Sequence, residues 1–466
     1  MLKALDRGSQ GLLFVVVGTA PLPFGSIEPF WTHLFLVLIA VSCLTAPWGR
    51  MPDSLHRSAG RIVLAILVVG VVTLLQFLPD PWWTVPDPIW RTVAPQIDRI
   101  LRPRASSIAS PPWETLGPSF LFALTALRAL PIGADREAAK RLLHVVAWSG
   151  LFYAGFGILL LEIEPDRVLW VKKVAYVGNL TGPFVNRNTA ATYFGSVAVI
   201  WLILALRAWF GSMRHRRRLW RAATLAGCLT CFAAVTLTGS RAGLLLTVAA
   251  LLFTLFRLLP SYVTLRRYRK RAALVGMAAC LALVEIWGGQ VGLRIQAHGF
   301  ADPGRLEMYR IALEMVRERP WLGHGAGSFE AAFPAYRSDV LGMFGVWDIA
   351  HSTPLEIAVE WGVPVLAVLC ALWIWAALTI WRAGRIRGRD RSVVVAALAV
   401  GGLGTLHSMV DFSLQIPGYA VVFAALVGCG LGRSRLLTAS RPDGDARRAL
   451  TPDGFEAAAT PVAGTR

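Results

Sequence analysis

Charge is what this 466-residue chain has least of: Asp, Glu, Lys and Arg make up 16% of it, against 55% hydrophobic residues and a mean hydropathy of +0.54. An ordinary soluble surface needs about 25% charge, so a soluble globular protein is excluded and a polytopic membrane protein is implied. Cysteine is scarce as well. Cys43, Cys228, Cys231, Cys280, Cys370 and Cys429 all fall in apolar runs and none in the polar stretches between them, which argues against disulfides. Cys228 and Cys231 spell C-x-x-C, but on an apolar helix they read as small buried residues rather than a redox pair. The first apolar run is not followed by a small-residue cleavage site, so it is expected to stay as an anchor. No internal repeat is visible, whereas transporters built on inverted repeats often show one.

What is present is a succession of apolar runs, each of roughly the length a bilayer core requires. They lie near residues 10–26, 30–47, 61–78, 118–133, 142–161, 189–210, 222–238, 242–260, 273–288, 353–381, 393–412 and 417–432, which predicts an all-α membrane bundle of about 12 spans. The run containing Pro21 and Pro23 is the weakest. The net charge of +19 lies in short basic links, Arg214–Arg221, Arg266–Arg271 and Arg382–Arg391, so it reports orientation and not nucleic acid. Those links fall on the side of Lys3, Arg7 and the arginine-containing tail, placing both termini in the cytoplasm. Residues 1–432 form the integral membrane domain; 433–466 are expected to be a disordered cytoplasmic tail, where Asp443-Gly444-Asp445 reads as a chance D-x-D. The outward loops are 79–117, 162–188 and 289–352. The first, with Trp82, Trp83, Trp90 and Trp113, has a composition suited to headgroup level.

Four outward clusters carry candidate chemistry. In Thr181–Asn188, Asn188 is expected to cap the next helix, with Asn186 and Arg187 placed to bond a polar group. Arg241 follows the tight turn Thr238-Gly239-Ser240 and opens a helix, where a cation adds to the positive helix end. A bound anion explains it, and so does snorkelling to lipid phosphate. Arg305 stands in the first turn of a helix capped by Asp302 and started by Pro303, again a place for an anion. Leu306, Tyr309, Leu313 and Val316 give that helix an apolar face, and Arg310, Glu314 and Arg317 a solvated charge ladder. After Pro320 a glycine-rich turn contains His324, read as structural.

The fourth cluster is Ala350–Gly362. Thr353 reads as N-cap, Pro354 as the first helical residue and Glu356 as the end of a capping box, leaving His351 just outside a helix N-terminus. The helix dipole disfavours imidazolium there, so His351 is expected to stay neutral and able to take a proton. Glu360, one turn inside the span, is expected to serve a site or orient helices, with Arg241, Arg305 or His351 as partner. His407 and Asp411 share one helical face and support each other, or join His351 at a metal; no compact set of three or four ligands supports the metal, so none is assigned. Two outward arginines and a neutral histidine at the bilayer boundary suit transfer of a sugar from a lipid diphosphate. The cations take the leaving diphosphate and the base takes the acceptor hydroxyl's proton.

Together, Gly182–Asn188, Gly239-Ser240-Arg241, Gly304-Arg305 before Pro320–Gly325, and His351-Ser352 with Glu360-Trp361-Gly362 resemble the O-antigen ligase and polymerase superfamily over about residues 180 to 365. His407–Phe412 followed by Ile416-Pro417 is similar to a pattern in many of its members. The resemblance implies a bacterial inner-membrane glycosyltransferase of lipopolysaccharide or polysaccharide biosynthesis, acting at the periplasmic face. It would use an undecaprenyl-diphosphate-linked glycan and no metal or other cofactor. On that resemblance Arg241 and Arg305 would hold the donor diphosphate and His351 would act as base, inverting the anomeric centre. The acceptor would be lipid A-core for a ligase or a second lipid-linked glycan for a polymerase. Ser352 departs from the commoner asparagine after the histidine. A transporter is the reading of another class, disfavoured by long outward loops and by key residues at the boundary instead of mid-membrane.

Overall fold

A computed structural model describes residues 2–93, 96, 102–109, 113–210, 217–259, 274, 278, 303–342, 347–386 and 391–439. In chain order the helices are α1 (Leu2–Thr19), α2 (Pro29–Leu44), α3 (Asp53–Phe77), α4 (Ile89–Val93), α5 (Trp113–Ala134), α6 (Arg136–Ile163), α7 (Arg187–Phe210), α8 (Arg217–Leu237), α9 (Arg241–Leu258), α10 (Pro303–Glu318), α11 (Phe329–Ala332), α12 (Thr353–Gly384), α13 (Ser392–Ser408) and α14 (Pro417–Ala439). Among the described residues eight of them, α3, α5 to α9, α12 and α14, are long and apolar enough to cross a membrane; α2 and α13 are shorter apolar helices. The protein is an all-α polytopic membrane protein. Each expected span meets a helix except 273–288, of which only residues 274 and 278 are described; Asp302, most of the basic links and the tail beyond 439 lie outside the described residues.

Three boundaries differ from expectation. The first helix ends at Thr19, because Pro21 and Pro23 turn the chain into a 3-10 segment at Phe24–Ser26. The last helix continues past Gly432 to Ala439. The helix expected as one long span from Thr353 breaks at Gly362, whose φ of 82° and ψ of 167° are not helical. Glu360 therefore precedes the break, in a short entry segment, and the apolar rod begins after it.

The core is centred on α7, which buries 94% of its most apolar window. Its Trp201 indole donates to the Ala147 carbonyl of α6 at 3.0 Å. Small residues bring α5 and α14 together: a Cβ on Gly133 would lie 2.0 Å from the Cys429 carbonyl oxygen, and one on Gly428 would lie 2.4 Å from that of Ala126. Close backbone approach of this kind is how membrane helices gain packing where hydrophobicity gives no drive. Fully buried Arg128 of α5 donates through Nε to the hydroxyls of Ser9 and Ser42, 3.0 Å each, tying α1 and α2 to that pair. Cys43, Cys228, Cys231, Cys370 and Cys429 are free thiols.

Outside the bundle, residues 167–172 form a two-stranded hairpin, Arg167–Val168 against Val171–Lys172. In the first loop Trp82 is exposed as headgroup-level placement requires, but Trp90 is buried and donates to the Ser106 carbonyl at 2.9 Å. The buried face of α10 is also not the expected one. Met308, Ile311, Ala312 and Met315 are fully buried, while Leu306 and Leu313 are exposed. Both sets have helical spacing, and α11 and α12 pack against the first.

Candidate active site

At the α7 entrance the local order is the reverse of that expected. The Asn186 side-chain oxygen accepts from the backbone N–H of Asn188 at 2.6 Å and of Thr189 at 3.3 Å, so Asn186 is the cap. Asn188 is thereby free to turn inward, where its amide donates to Asp411 Oδ2 at 2.5 Å. Arg187 donates to the Asn179 side-chain oxygen at 2.9 Å and lies over the Tyr176 ring, 4.9 Å from its centre. It supports the hairpin loop and is only half-buried.

Asp411, 1% exposed, is also the partner of Arg305. Arg305 Nη2 reaches Asp411 Oδ2 at 3.0 Å and Nη1 reaches the Val410 carbonyl at 2.6 Å. The anion that the first-turn arginine of α10 calls for is, in the free chain, this carboxylate. Two of the guanidinium nitrogens are used, and the side chain keeps 26% of its exposure, so further donors face outward.

The next residue, Phe412, holds the histidine. His351 and Phe412 rings lie 5.2 Å apart, and Trp347 closes on the imidazole edge-on at 5.8 Å. His351 has a left-handed backbone, φ 52°, sparsely populated for a non-glycine residue and concentrated at functional sites. Tyr309, one turn after Arg305, donates its hydroxyl to the His351 carbonyl at 3.1 Å. Thus α10 fixes the arginine and the histidine backbone together. The N-cap is Ser352, not Thr353, and Glu356 reaches past it to the Ala350 N–H at 2.8 Å. The carboxylate braces the turn that carries His351, instead of closing a capping box.

His407 lies one turn before Asp411 and is fully buried; its Nδ1 is 3.0 Å from the Ser413 hydroxyl, which is 3.3 Å from Thr192 of α7. Arg241 opens α9 after Ser240, whose hydroxyl accepts from the Gly243 N–H at 3.2 Å. A Cβ on Gly243 would sit 2.4 Å from Ala191 Cβ, so this helix start packs on the first turn of α7, three residues beyond Asn188.

Glu360 belongs to a separate structure. Its carboxylate accepts from the Phe329 N–H at 3.3 Å and from Gly327, at the start of α11, so its partners are backbone groups of the glycine turn and not the arginines or histidine expected. That turn wraps the break in α12: His324 N–H donates to Val359, Gly325 N–H to Glu360 and Val363 N–H to Pro320, at 2.7 to 3.1 Å. His324 Nε2 meets the Met315 carbonyl at 3.2 Å, and burial pushes its pKa down, as suits the structural role read from the sequence. Gln76 of α3 was not anticipated. Its amide donates to the Leu322 and Glu360 carbonyls and its oxygen accepts from Ala326 N–H at 3.0 Å. A fully buried glutamine in an apolar span is the signal that points to it.

No curated protein matches the chain. The motif at 182–188 and the His407–Asp411 pair lie outside residues 226–370, which a family model matches. Residues 226–370, which include Arg241, Arg305, His351 and Glu360, match the family model described as O-Antigen ligase, so this stretch carries the domain of the O-antigen ligase superfamily, membrane enzymes of ligase or polymerase type.

Proposed function

We propose that the chain transfers a glycan from undecaprenyl diphosphate to an acceptor hydroxyl at the periplasmic face of the bacterial inner membrane, as an O-antigen ligase acting on lipid A-core. One observation carries the reading: adjacent residues Asp411 and Phe412 hold Arg305 and the His351 ring, which brings a cation and a base to one spot. In the transfer, His351 takes the proton of the acceptor hydroxyl as its oxygen forms the bond to the anomeric carbon. The bond from that carbon to the diphosphate oxygen breaks, and the electron pair leaves with undecaprenyl diphosphate. Attack opposite the leaving group inverts the centre. The outward donors of Arg305, with Arg241 at the neighbouring helix start, meet the charge that grows on the diphosphate, and no metal is required for this. Asn188 and Asp411 hold Arg305 in place, and His407, Asn186 and Arg187 support the walls. Glu360 positions the turn beside them.

Deletion of the gene followed by glycolipid analysis tests the acceptor. The ligase reading predicts bare lipid A-core together with long lipid-linked chains. Accumulation of single lipid-linked repeats would instead assign polymerisation, with the second glycan as acceptor, and an unchanged glycolipid profile would remove both.

A further inference from the structure

Residues 164–179, between α6 and α7, are held in one conformation by their own hydrogen bonds. Beyond the pairing of Arg167 with Lys172 and of Val168 with Val171, the Lys173 N–H donates to the Asp166 carbonyl at 2.6 Å. The Lys173 ammonium group donates to the carbonyls of Pro165 at 3.1 Å and Asn179 at 2.8 Å. A segment so ordered nonetheless turns its apolar side chains outward: Trp170 is 70% exposed, Val174 99% and Val177 60%. It also holds Leu169 and Tyr176 at φ 51° and 61°, in the left-handed region that strains any residue but glycine. Exposed apolar groups clustered on an ordered and strained segment call for something that covers them.

Their level identifies it. The 28 residues of α6 rise about 42 Å, more than the roughly 30 Å of a hydrocarbon core. The segment that follows does not continue this rise. Its Trp170 ring packs edge-on against Phe24, 5.1 Å between centres, in the turn after α1. The end of α1 lies deeper than the end of α6: the Tyr153 hydroxyl donates to the Gly18 carbonyl at 2.7 Å, and Tyr153 stands about 15 Å along α6 before Ile163. The hairpin thus folds back along the flank of the bundle to the boundary of the apolar layer. There it joins two exposed apolar surfaces. Phe152, Leu159 and Ile163 recur at helical spacing on the outer stripe of α6, a membrane span, and Ile27 and Phe30 are exposed where the chain passes from Phe24 into α2. Charge adds no preference for an anionic partner, since Glu162, Glu164 and Asp166 are balanced by Arg167, Lys172 and Lys173.

We propose that residues 167–177 form an interfacial anchor, with Trp170, Val171, Val174 and Val177 seated among the lipid headgroups and upper acyl chains on the side of the bilayer that bears the candidate active site. A tryptophan with apolar neighbours is the composition that this layer takes. The root of the segment is bonded to the start of α7, where Arg187 donates to Asn179 and lies over Tyr176. The bilayer surface therefore fixes the height at which α7, and Asn188 with it, enters the site.

Val174→Cys tests the anchor. The full-length protein, in phosphatidylcholine nanodiscs, carries a nitrobenzoxadiazole label there, and the signal of the parent chain treated in the same way is subtracted. Val177→Cys serves if Val174→Cys does not fold, and Glu330→Cys, exposed on α11, is the aqueous reference. Lipid with a nitroxide near the top of its acyl chain is expected to quench the label at 174 at least threefold more than that at 330, and iodide at least threefold less. Iodide quenching equal to that at 330 would overturn the proposal. So would protection from both quenchers, which would assign the surface to a second copy of the chain or another protein.

Discussion

Asp411 does the most at the residue scale, because one buried carboxylate serves both Arg305 and Asn188. In Asp411→Asn the shape is kept but the charge is lost, and Arg305 loses its charge-assisted bond. The expected result is at least a tenfold fall in transfer rate. The stability cost should be only about 1–3 kcal/mol, since Arg305 is partly solvated; initial rates and thermal unfolding of the purified variant measure the two. A second residue gives a pH effect. Burial lowers the His324 pKa, so the folded state resists a proton that the unfolded chain accepts below its ordinary value of 6.5. Stability from this group is complete above pH 6.5 and falls as pH drops below it. The melting midpoint at pH 5 should therefore lie below that at pH 7.5 by a larger margin in the native chain than in His324→Gln. Equal margins would remove His324 as the cause.

At the scale of elements, the break in α12 decides the geometry. Gly362 has φ 82°, and a Cβ there would lie 2.3 Å from the Trp321 carbonyl oxygen; Gly323 is equally confined, 2.5 Å from that of Glu360. Gly362→Ala meets both a left-handed backbone and a clash with main chain. Backbone strain alone costs roughly 1–3 kcal/mol. The variant should unfold several degrees lower and lose transfer activity, because the turn that it displaces abuts the segment holding His351. Normal activity and an unchanged midpoint would show that the break is not needed. The sequence announces the helices, since bilayer-length apolar runs leave little choice, but it does not announce this break. Gly362 precedes Val363-Pro364 within an unbroken apolar run, and only the Trp321 carbonyl and the Leu322 backbone nitrogen, about 40 residues upstream, explain it. The same limit applies to caps. Asn186 and Asn188 are both good caps locally, and it is Asp411, 223 residues away, that draws Asn188 inward and leaves the cap to Asn186.

Across the whole molecule, the residues singled out from sequence, Asn186, Asn188, Arg305, His351, His407 and Asp411, converge although they come from four separate stretches. Chemistry made them visible: each is polar or charged beside an apolar helix end, where such groups need a reason. Their pairing was not visible. Arg305 was expected to wait for an external anion, and the fold supplies one in Asp411; Glu360 was expected among cations, and it meets backbone N–H groups. The matched region, 226–370, brings Arg241, Arg305 and His351 into one domain but leaves Asn188 and Asp411 outside it, so the site is completed by flanking helices. The central claim is that this site releases a lipid diphosphate by glycan transfer, with His351 as base. The most direct measurement supplies the purified protein in detergent with an undecaprenyl-diphosphate-linked glycan and lipid A-core, and follows undecaprenyl diphosphate release. The native chain should release it in step with glycan transfer, and well-folded His351→Ala should bind the donor and release none. Release by His351→Ala at the native rate, or no release by the native chain, would contradict the account.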